Sequence, residues 1–390
     1  MPKIYRYILK SYQNPRYARW VLHRVIVSTF NEKLGRNHGN KNAGLSEPWT
    51  YASTGVDKHI RNSWITDQPE PPIVVQLQKP DNRLHTAYYG QRWVYQLSDV
   101  VFDPMWEIVT ANNHILIESI RASNFSSRVA AAFLSRKRIL RRSKRARSKI
   151  NLAVTSLPIG DSEIFGHFLL NALPKILRCQ TKSEERITVL LPPGCAPFVK
   201  AALSAANILY LEVYTPIKCK NYFLAASSYE TTEDIYLSDI EKLRETYINN
   251  ISLPRMDKYK VYATRLGSAR GRIAEYEYKL CRELESIGFI IFRPGERTFI
   301  EEVEFFRHAS ILIAPTGSGF FNFIWMDPGS LIVEIGSPEI YVATDSEAST
   351  IKMNHVYKYL DISKFEDDST EKYTKLSRLI KEIVHNYELS

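Results

Sequence analysis

At 390 residues and 45.1 kDa, the chain is too long for one ordinary core and comfortable for two domains. Apolar residues at 44% and charged residues at 24% exclude a mostly disordered or fibrous protein. Lys and Arg outnumber Asp and Glu by 52 to 42, and the net charge of +10 points to anionic partners: phosphates, nucleic acid or a membrane surface.

The four cysteines, Cys179, Cys195, Cys219 and Cys281, lie far apart. Without paired spacing they exclude a zinc knuckle and a disulfide scaffold, and they suit a reducing compartment. Lys3, Arg6 and Lys10 come so early that no cleavable signal peptide is expected. In the first 65 residues Arg6, Lys10, Arg16, Arg19 and Arg24 alternate with Tyr5, Tyr7, Tyr12, Tyr17 and Trp20. That pattern fits a basic aromatic helix on anionic lipid as well as a helix packed on its own domain. Residues 37–44 read as a polar loop. Short apolar or alternating runs at 73–77, 93–97, 107–110 and 114–118 predict an antiparallel meander ahead of the main domain. Residues 126–149 look helical, and nine of the fourteen residues from 136 to 149 are Lys or Arg. Such a block is either a solvated face or an arm for an anionic surface.

From residue 150 strands and helices alternate regularly. Strands are predicted at 151–156, 187–191 and 210–214, with helices at 166–178 and 197–206, and 238–257 reads as a helix followed by a Pro-containing connector. A second unit repeats the scheme, with strands at 260–264, 289–292, 311–314 and 331–335 and helices at 273–288, 299–308 and 370–387. The uncharged stretch 309–326 imitates a membrane span, but Pro315, Gly317, Gly319 and Asn322 break it into strand, turn and short helix. The fold class is therefore α/β, with two Rossmann-like doubly wound domains facing a cleft after an N-terminal β-rich extension. The boundaries are 1–150 for the extension, 151–250 and 258–360 for the two domains, and 361–390 for a terminal helix.

Three segments carry candidate chemistry. Thr316, Gly317, Ser318 and Gly319, with Asn322 behind them, form a turn after a buried strand, where backbone N–H groups converge on one point as a diphosphate requires. Arg265, followed by Arg270 and Arg272, leaves the first strand of the same unit, and these cations could neutralise phosphates. Glu334, at the end of an apolar strand, suits a ribose hydroxyl. In the first domain, Asp161, Glu163 and His167 follow the first strand, near the start of a helix whose partial positive charge favours a neutral imidazole.

Residues 166–175 (Gly-His-Phe-Leu-Leu-Asn-Ala-Leu-Pro-Lys) resemble the Gly-His-Trp/Phe-Leu-Leu-Asp/Glu-x-Leu-Pro-Arg motif of family-61 glycosyltransferases, which include bacterial capsular and exopolysaccharide enzymes. Residues 262–265 are similar to that family's Tyr-x-Ser-Arg strand end, residues 315–322 to its Pro-His-Gly-Ala-Gly-Leu-Thr-Asn turn, and residues 327–334 to its Pro-Pro-Gly-…-Glu strand. The four motifs agree in order and spacing, and the resemblance spans 95–361. Asn171 stands where an acid is usual, Lys175 where Arg is usual and Thr316 where His is usual, and Glu275 and Tyr276 replace an Asn-Glu pair.

The resemblance implies an inverting, GT-B-type glycosyltransferase with the nucleotide-sugar on the C-terminal domain. His167, or else Asp161 or Glu163, would be the base, and Asn171 and Lys175 would face the acceptor. A polysaccharide or lipid-linked acceptor on the cytoplasmic face of a bacterial membrane is the implied partner. No Asp-x-Asp occurs in the chain, so no metal or other cofactor is expected. The competing readings are an inactive scaffold of the same fold, on the grounds of Asn171 and Thr316, and a nucleic-acid-binding protein using 136–149. No nucleic-acid-binding signature accompanies that block, so a specific nucleic acid is not expected.

Overall fold

The computed structural model describes residues 64–66, 75–78, 84–87, 93–111, 114–115, 136–157, 162–225, 237–248, 258–266, 276–336, 353–362 and 369–389. The basic aromatic segment at the N-terminus, the loop 37–44, the first part of the helix expected at 126–149, and the site candidates Asp161, Arg270 and Arg272 lie outside the described residues. The chain divides into two units, Met1–Pro72 with Tyr88–Asp234 and Ile73–Ala87 with Ile235–Ser390.

The early strands are β1 (Trp64–Thr66), the hairpin β2 (Val75–Gln78) and β3 (Leu84–Ala87), β4 (Trp93–Leu97), β5 (Val100–Asp103), β6 (Ile108–Ala111) and β7 (His114–Ile115). The hairpin belongs to the second unit. Helix α1 (Arg136–Lys144) leads into β8 (Ser148–Ser156). Next comes one continuous helical stretch made of α2 (Phe165–His167), a π turn (Phe168–Ala172) and α3 (Leu173–Lys182). Strand β9 (Thr188–Leu191), helix α4 (Pro197–Ala205) and strands β10 (Leu209–Glu212) and β11 (Ile217–Ala225) complete the first unit.

Its sheet runs β10-β9-β8-β11-β5-β6-β7, with β4 also on β11 and β1 on β4. Strands β10, β9, β8 and β11 are parallel, as the alternation with helices predicts. The meander is not a separate layer, because β4 and β5 pair antiparallel with β11 and extend this same sheet. Strand β9 is buried along its whole length, which accounts for its apolar run Val189–Leu191.

The basic block is a docked helix that stops at Lys144, and Ser148 and Lys149, expected to be helical, already belong to β8. Ile139 and Ser143, at helical spacing, form its buried face, and Ala146 just beyond its end is buried as well. Arg142 anchors it with two hydrogen bonds, 2.7 and 3.1 Å, to the fully buried Asp103. Lys137, Arg138, Arg141 and Lys144 remain exposed.

The second unit contains α5 (Leu237–Tyr247), β12 (Tyr259–Ala263), α6 (Tyr276–Ser286), β13 (Phe289–Phe292), α7 (Phe299–Arg307), β14 (Ala309–Pro315), a 3-10 helix (Phe320–Trp325), β15 (Leu331–Gly336), β16 (Val356–Asp361) and α8 (Ser369–Glu388). All five strands from β12 on are parallel, in the order β13-β12-β14-β15-β16. Counted along this unit that order is second, first, third, fourth, fifth, a doubly wound sheet whose winding reverses between β12 and β14. Leu280, Leu284, Leu376 and Ile380 from α6 and α8 pack with Tyr262, Ile313, Val333 and Leu360 in one core. The stretch 309–326 is strand, turn and 3-10 helix, as its glycines and proline predict. Among the described residues no helix is long and apolar enough to cross a membrane.

Candidate active site

The carboxyl edge of the second sheet brings two of the sequence candidates into contact. Arg265 follows β12 and the Thr316–Gly319 turn follows β14, so both leave the sheet at the point where its winding reverses. A Cβ placed on Gly317 would lie 3.1 Å from Nη2 of Arg265, so the guanidinium rests directly against the turn. Gly317 has φ +154°, a conformation that side chains disfavour. Pro294, from the loop after β13, is 3.8 Å from a Cβ built on Gly319. Loops from three adjacent strands thus meet at one place.

Thr316 plays a different part from its neighbours. Its N–H donates to the carbonyl of Ile335 at 2.8 Å, which ties the turn to β15. The N–H groups of Gly317, Ser318 and Gly319 have no acceptor among the described residues. The helix expected to open here is a six-residue 3-10 helix. That is too short to add much dipole, so the local positive charge rests on the turn amides and Arg265.

Arg265 is half-buried and is positioned by a residue that sequence reasoning missed. Glu277, 1% exposed near the start of α6, accepts hydrogen bonds at Oε2 from the Arg265 N–H (2.9 Å) and the Thr264 hydroxyl (2.5 Å). Thr264 Oγ1 in turn accepts from the Leu266 N–H at 3.0 Å, which closes a tight turn after β12. Burial raises the Glu277 carboxyl above its usual value, while the bonds from Thr264 and Arg265 act in the opposite direction. The available signal was an acid one residue beyond Tyr276, next to the family's Asn-Glu position. Arg293, exposed just past β13, is a further cation at this edge that the sequence reading did not single out.

Asn322 and Glu334 lie inside the unit. Asn322 is 1% exposed and braces the turn from behind, donating from Nδ2 to the Gly319 carbonyl at 3.3 Å. Glu334, also 1% exposed, accepts a hydrogen bond of 2.8 Å from the Tyr357 hydroxyl. In this structure its carboxylate holds β15 to β16.

Glu302 lies behind Asn322 on α7, a helix opened by a capping box between Thr298 and Glu301. Burial raises the Glu302 carboxyl to about 7, against the lowering effects of the Gly295 backbone, the Arg297 charge and the Asn322 side chain. A carboxyl whose folded pKa exceeds its unfolded value binds more protons when folded. Its stabilising effect is complete below pH 4.5 and is lost as the pH rises to about 7. Each tenfold change in proton affinity corresponds to about 1.4 kcal/mol, so this loss is on the order of 3 kcal/mol. Glu302→Gln should flatten the stability of the second unit between pH 4.5 and 7.5. Thermal melts across that range that fall equally in wild type and variant would contradict this role.

In the first unit the approach to His167 is rigidly held. Ser162, 1% exposed, donates to the buried Glu107 at 3.2 Å, and its carbonyl accepts from the Ala196 N–H at 2.9 Å. Phe165 and Phe168 both pack on Phe198 of α4, with ring centroids 5.4 and 5.6 Å apart. His167 and Glu163 are half-buried, with His167 in the first turn of the helical stretch immediately before the π turn. A π turn inside a helix is rare and recurs at functional sites. Asn171 and Lys175 are each 5% exposed and lie within the unit rather than on its surface.

Among the described residues no group of three or more His, Cys, Asp or Glu side chains could hold a metal ion, and all four cysteines are buried free thiols. No curated protein matches the chain. Residues 165–333 match the model of the family Glycosyltransferase 61, a span that opens on the His167 helix, contains Arg265 and the glycine turn, and ends one residue before Glu334. Over this span the chain is similar to glycosyltransferase family 61.

Proposed function

We propose that the protein is a GT-B-type, inverting glycosyltransferase whose nucleotide-sugar donor binds at the carboxyl edge of the second unit. The observation that carries this reading is the contact between Arg265 and Gly317 where the winding of the sheet reverses. A leaving nucleoside diphosphate carries developing charge that preorganised donors must stabilise. Arg265 supplies a bidentate cation, and the N–H groups of Gly317, Ser318 and Gly319 supply neutral donors. This arrangement offsets the charge without a metal ion, in line with the missing Asp-x-Asp. His167 is the proposed base for the acceptor hydroxyl, with Glu163 or Asp161 orienting it or replacing it. The acceptor is a glycan or lipid-linked saccharide. The exposed cations of α1 would hold the enzyme on the anionic inner face of a plasma membrane, each contributing about 1 kcal/mol near such a surface.

Replacing Arg265 by Ala removes a charge-assisted contact of about 1.5–3 kcal/mol, so nucleoside diphosphate affinity should fall on the order of tenfold or more. Calorimetric titration of the full chain measures it, and an unchanged affinity in a folded variant would sink the donor assignment. In the same preparation, excess chelator should leave wild-type transfer intact. Loss of transfer that added divalent cation restores would remove the metal-independent mechanism.

A further inference from the structure

The first sheet carries a polar depression far from His167. Helix α3 covers one face of this sheet through Cys179, which packs in a cluster with Val94, Ala153, Phe223 and Ala225. Past the end of α3 at Lys182 a depression of about 440 Å³ opens. Gln96, Ser98, Asn151, Lys220, Asn221 and Glu185 line it, with Leu97 as its sole apolar member. Asn151 lies five residues before the end of β8, so the depression is roughly 16 Å along the strand from the edge that leads to His167.

Two observations give this surface a ligand chemistry. The lining is nearly all amide, hydroxyl and charge, and Gln96 Nε2 already donates to Asn221 Oδ1 at 2.9 Å, which fixes two amides side by side. Amides and a carboxylate offer paired donors and acceptors of the kind that sugar hydroxyls satisfy. The second observation is a conflict of charge. Lys218 of β11 pairs in register with Lys149 of β8, and both are exposed. Like charges directly opposite one another destabilise a sheet. Exposed Lys220 adds a third cation where the β11–β8 register slips, between Cys219 and Asn221, and such slips re-aim side chains. Lys220 is the lysine within the lining, and an anion reaching from it across the neighbouring Lys149 and Lys218 would relieve that repulsion. A lipid surface fits less well, because the lining offers almost no apolar side chain to enter it.

We propose that this depression binds an acidic saccharide, a stretch of the acceptor glycan bearing carboxylate groups, with the lysines on the carboxylates and the amides on the hydroxyls. The proposal rests on the glycosyltransferase reading for its choice of ligand, but its site is separate from the donor site.

Titration of the full chain with a hexuronic-acid oligosaccharide, and with a neutral glucose oligosaccharide of equal length, tests it. The acidic oligosaccharide should bind at least tenfold more tightly and lose affinity with added salt. The combined variant Lys149→Ala, Lys218→Ala, Lys220→Ala changes only exposed side chains and should weaken that binding tenfold or more. Gln96→Ala, which leaves the charge unchanged, should weaken it severalfold. Both variants should keep wild-type affinity for nucleoside diphosphate, so a failure here is distinct from a failure at Arg265. Equal binding of acidic and neutral oligosaccharides, or full affinity in the triple variant, would overturn the proposal. So would binding of phosphatidylglycerol vesicles at these lysines that the acidic oligosaccharide cannot displace.

Discussion

Replacing His167 by Ala should lower turnover by about a hundredfold to ten-thousandfold while nucleoside diphosphate affinity stays near wild type. A general base acts on the acceptor hydroxyl as that oxygen attacks, so its loss appears in the chemical step rather than in donor binding. The proposed donor contacts belong to the second unit and His167 to the first, which makes the two readouts separable. The variant should fold, because His167 is only half-buried while Phe165 and Phe168 on either side keep their packing on Phe198. A folded His167→Ala enzyme with near-normal turnover would move the assignment to Asp161 or Glu163. Glu163→Gln is the next variant, since Ser162 beside it is pinned to Glu107 and Ala196 and holds its backbone in place.

The second large effect concerns the scaffold behind the glycine turn. Trp325, fully buried, ends the 3-10 helix and packs edge-on against Tyr247 (5.8 Å) and Phe299 (6.0 Å). Trp325→Ala should destabilise the second unit by about 3–5 kcal/mol, since a cavity of that size cannot close among rigid aromatic neighbours. The melting temperature of that unit should drop on the order of 10 °C. Trp325→Phe is the informative companion. The indole N–H has no hydrogen-bond partner among the described residues, so phenylalanine keeps most of the packing and removes a buried unsatisfied donor. The Phe variant should therefore lose much less stability than the Ala variant. Equal losses would show that ring packing is not what supports the turn.

The second unit was more legible in the sequence than the first, for reasons of register and burial. Phe289–Phe292 is the strand predicted at 289–292, and Phe299–Arg307 agrees to within one residue with the helix predicted at 299–308. Strand β16 was missed because among the described residues it is an edge strand paired with β15 alone, and most of its residues are exposed or half-buried. Strand β11 was missed for a different reason. Ile217 and Cys219 alternate with lysines, but the slip at Asn221 breaks the period before the apolar run Tyr222–Ala225 begins. Losing β11 also hid the strand on which β4 and β5 pair, so these strands looked like a separate meander. Pairing between residues more than a hundred positions apart leaves no local period to read.

At the site, Arg265 and the Thr316–Gly319 turn could be read from sequence because topology sends successive parallel strands to one edge. Their direct contact could not, since it depends on Glu277 holding the turn after β12. Burial was equally hidden. Glu334 and Asn322 carry the polar groups of ligand contacts, yet Tyr357 holds the first and the second braces the Gly319 carbonyl.

Amide hydrogen exchange of the full chain, with and without a nucleoside diphosphate, tests the donor site most directly. New protection is expected at Gly317, Ser318 and Gly319, whose N–H groups lack acceptors among the described residues. Little change is expected at Thr316, already bonded to Ile335, and the new protection should be lost in Arg265→Ala. Protection confined to the first unit, or unchanged exchange at 317–319 when the nucleotide is bound, would contradict the donor assignment.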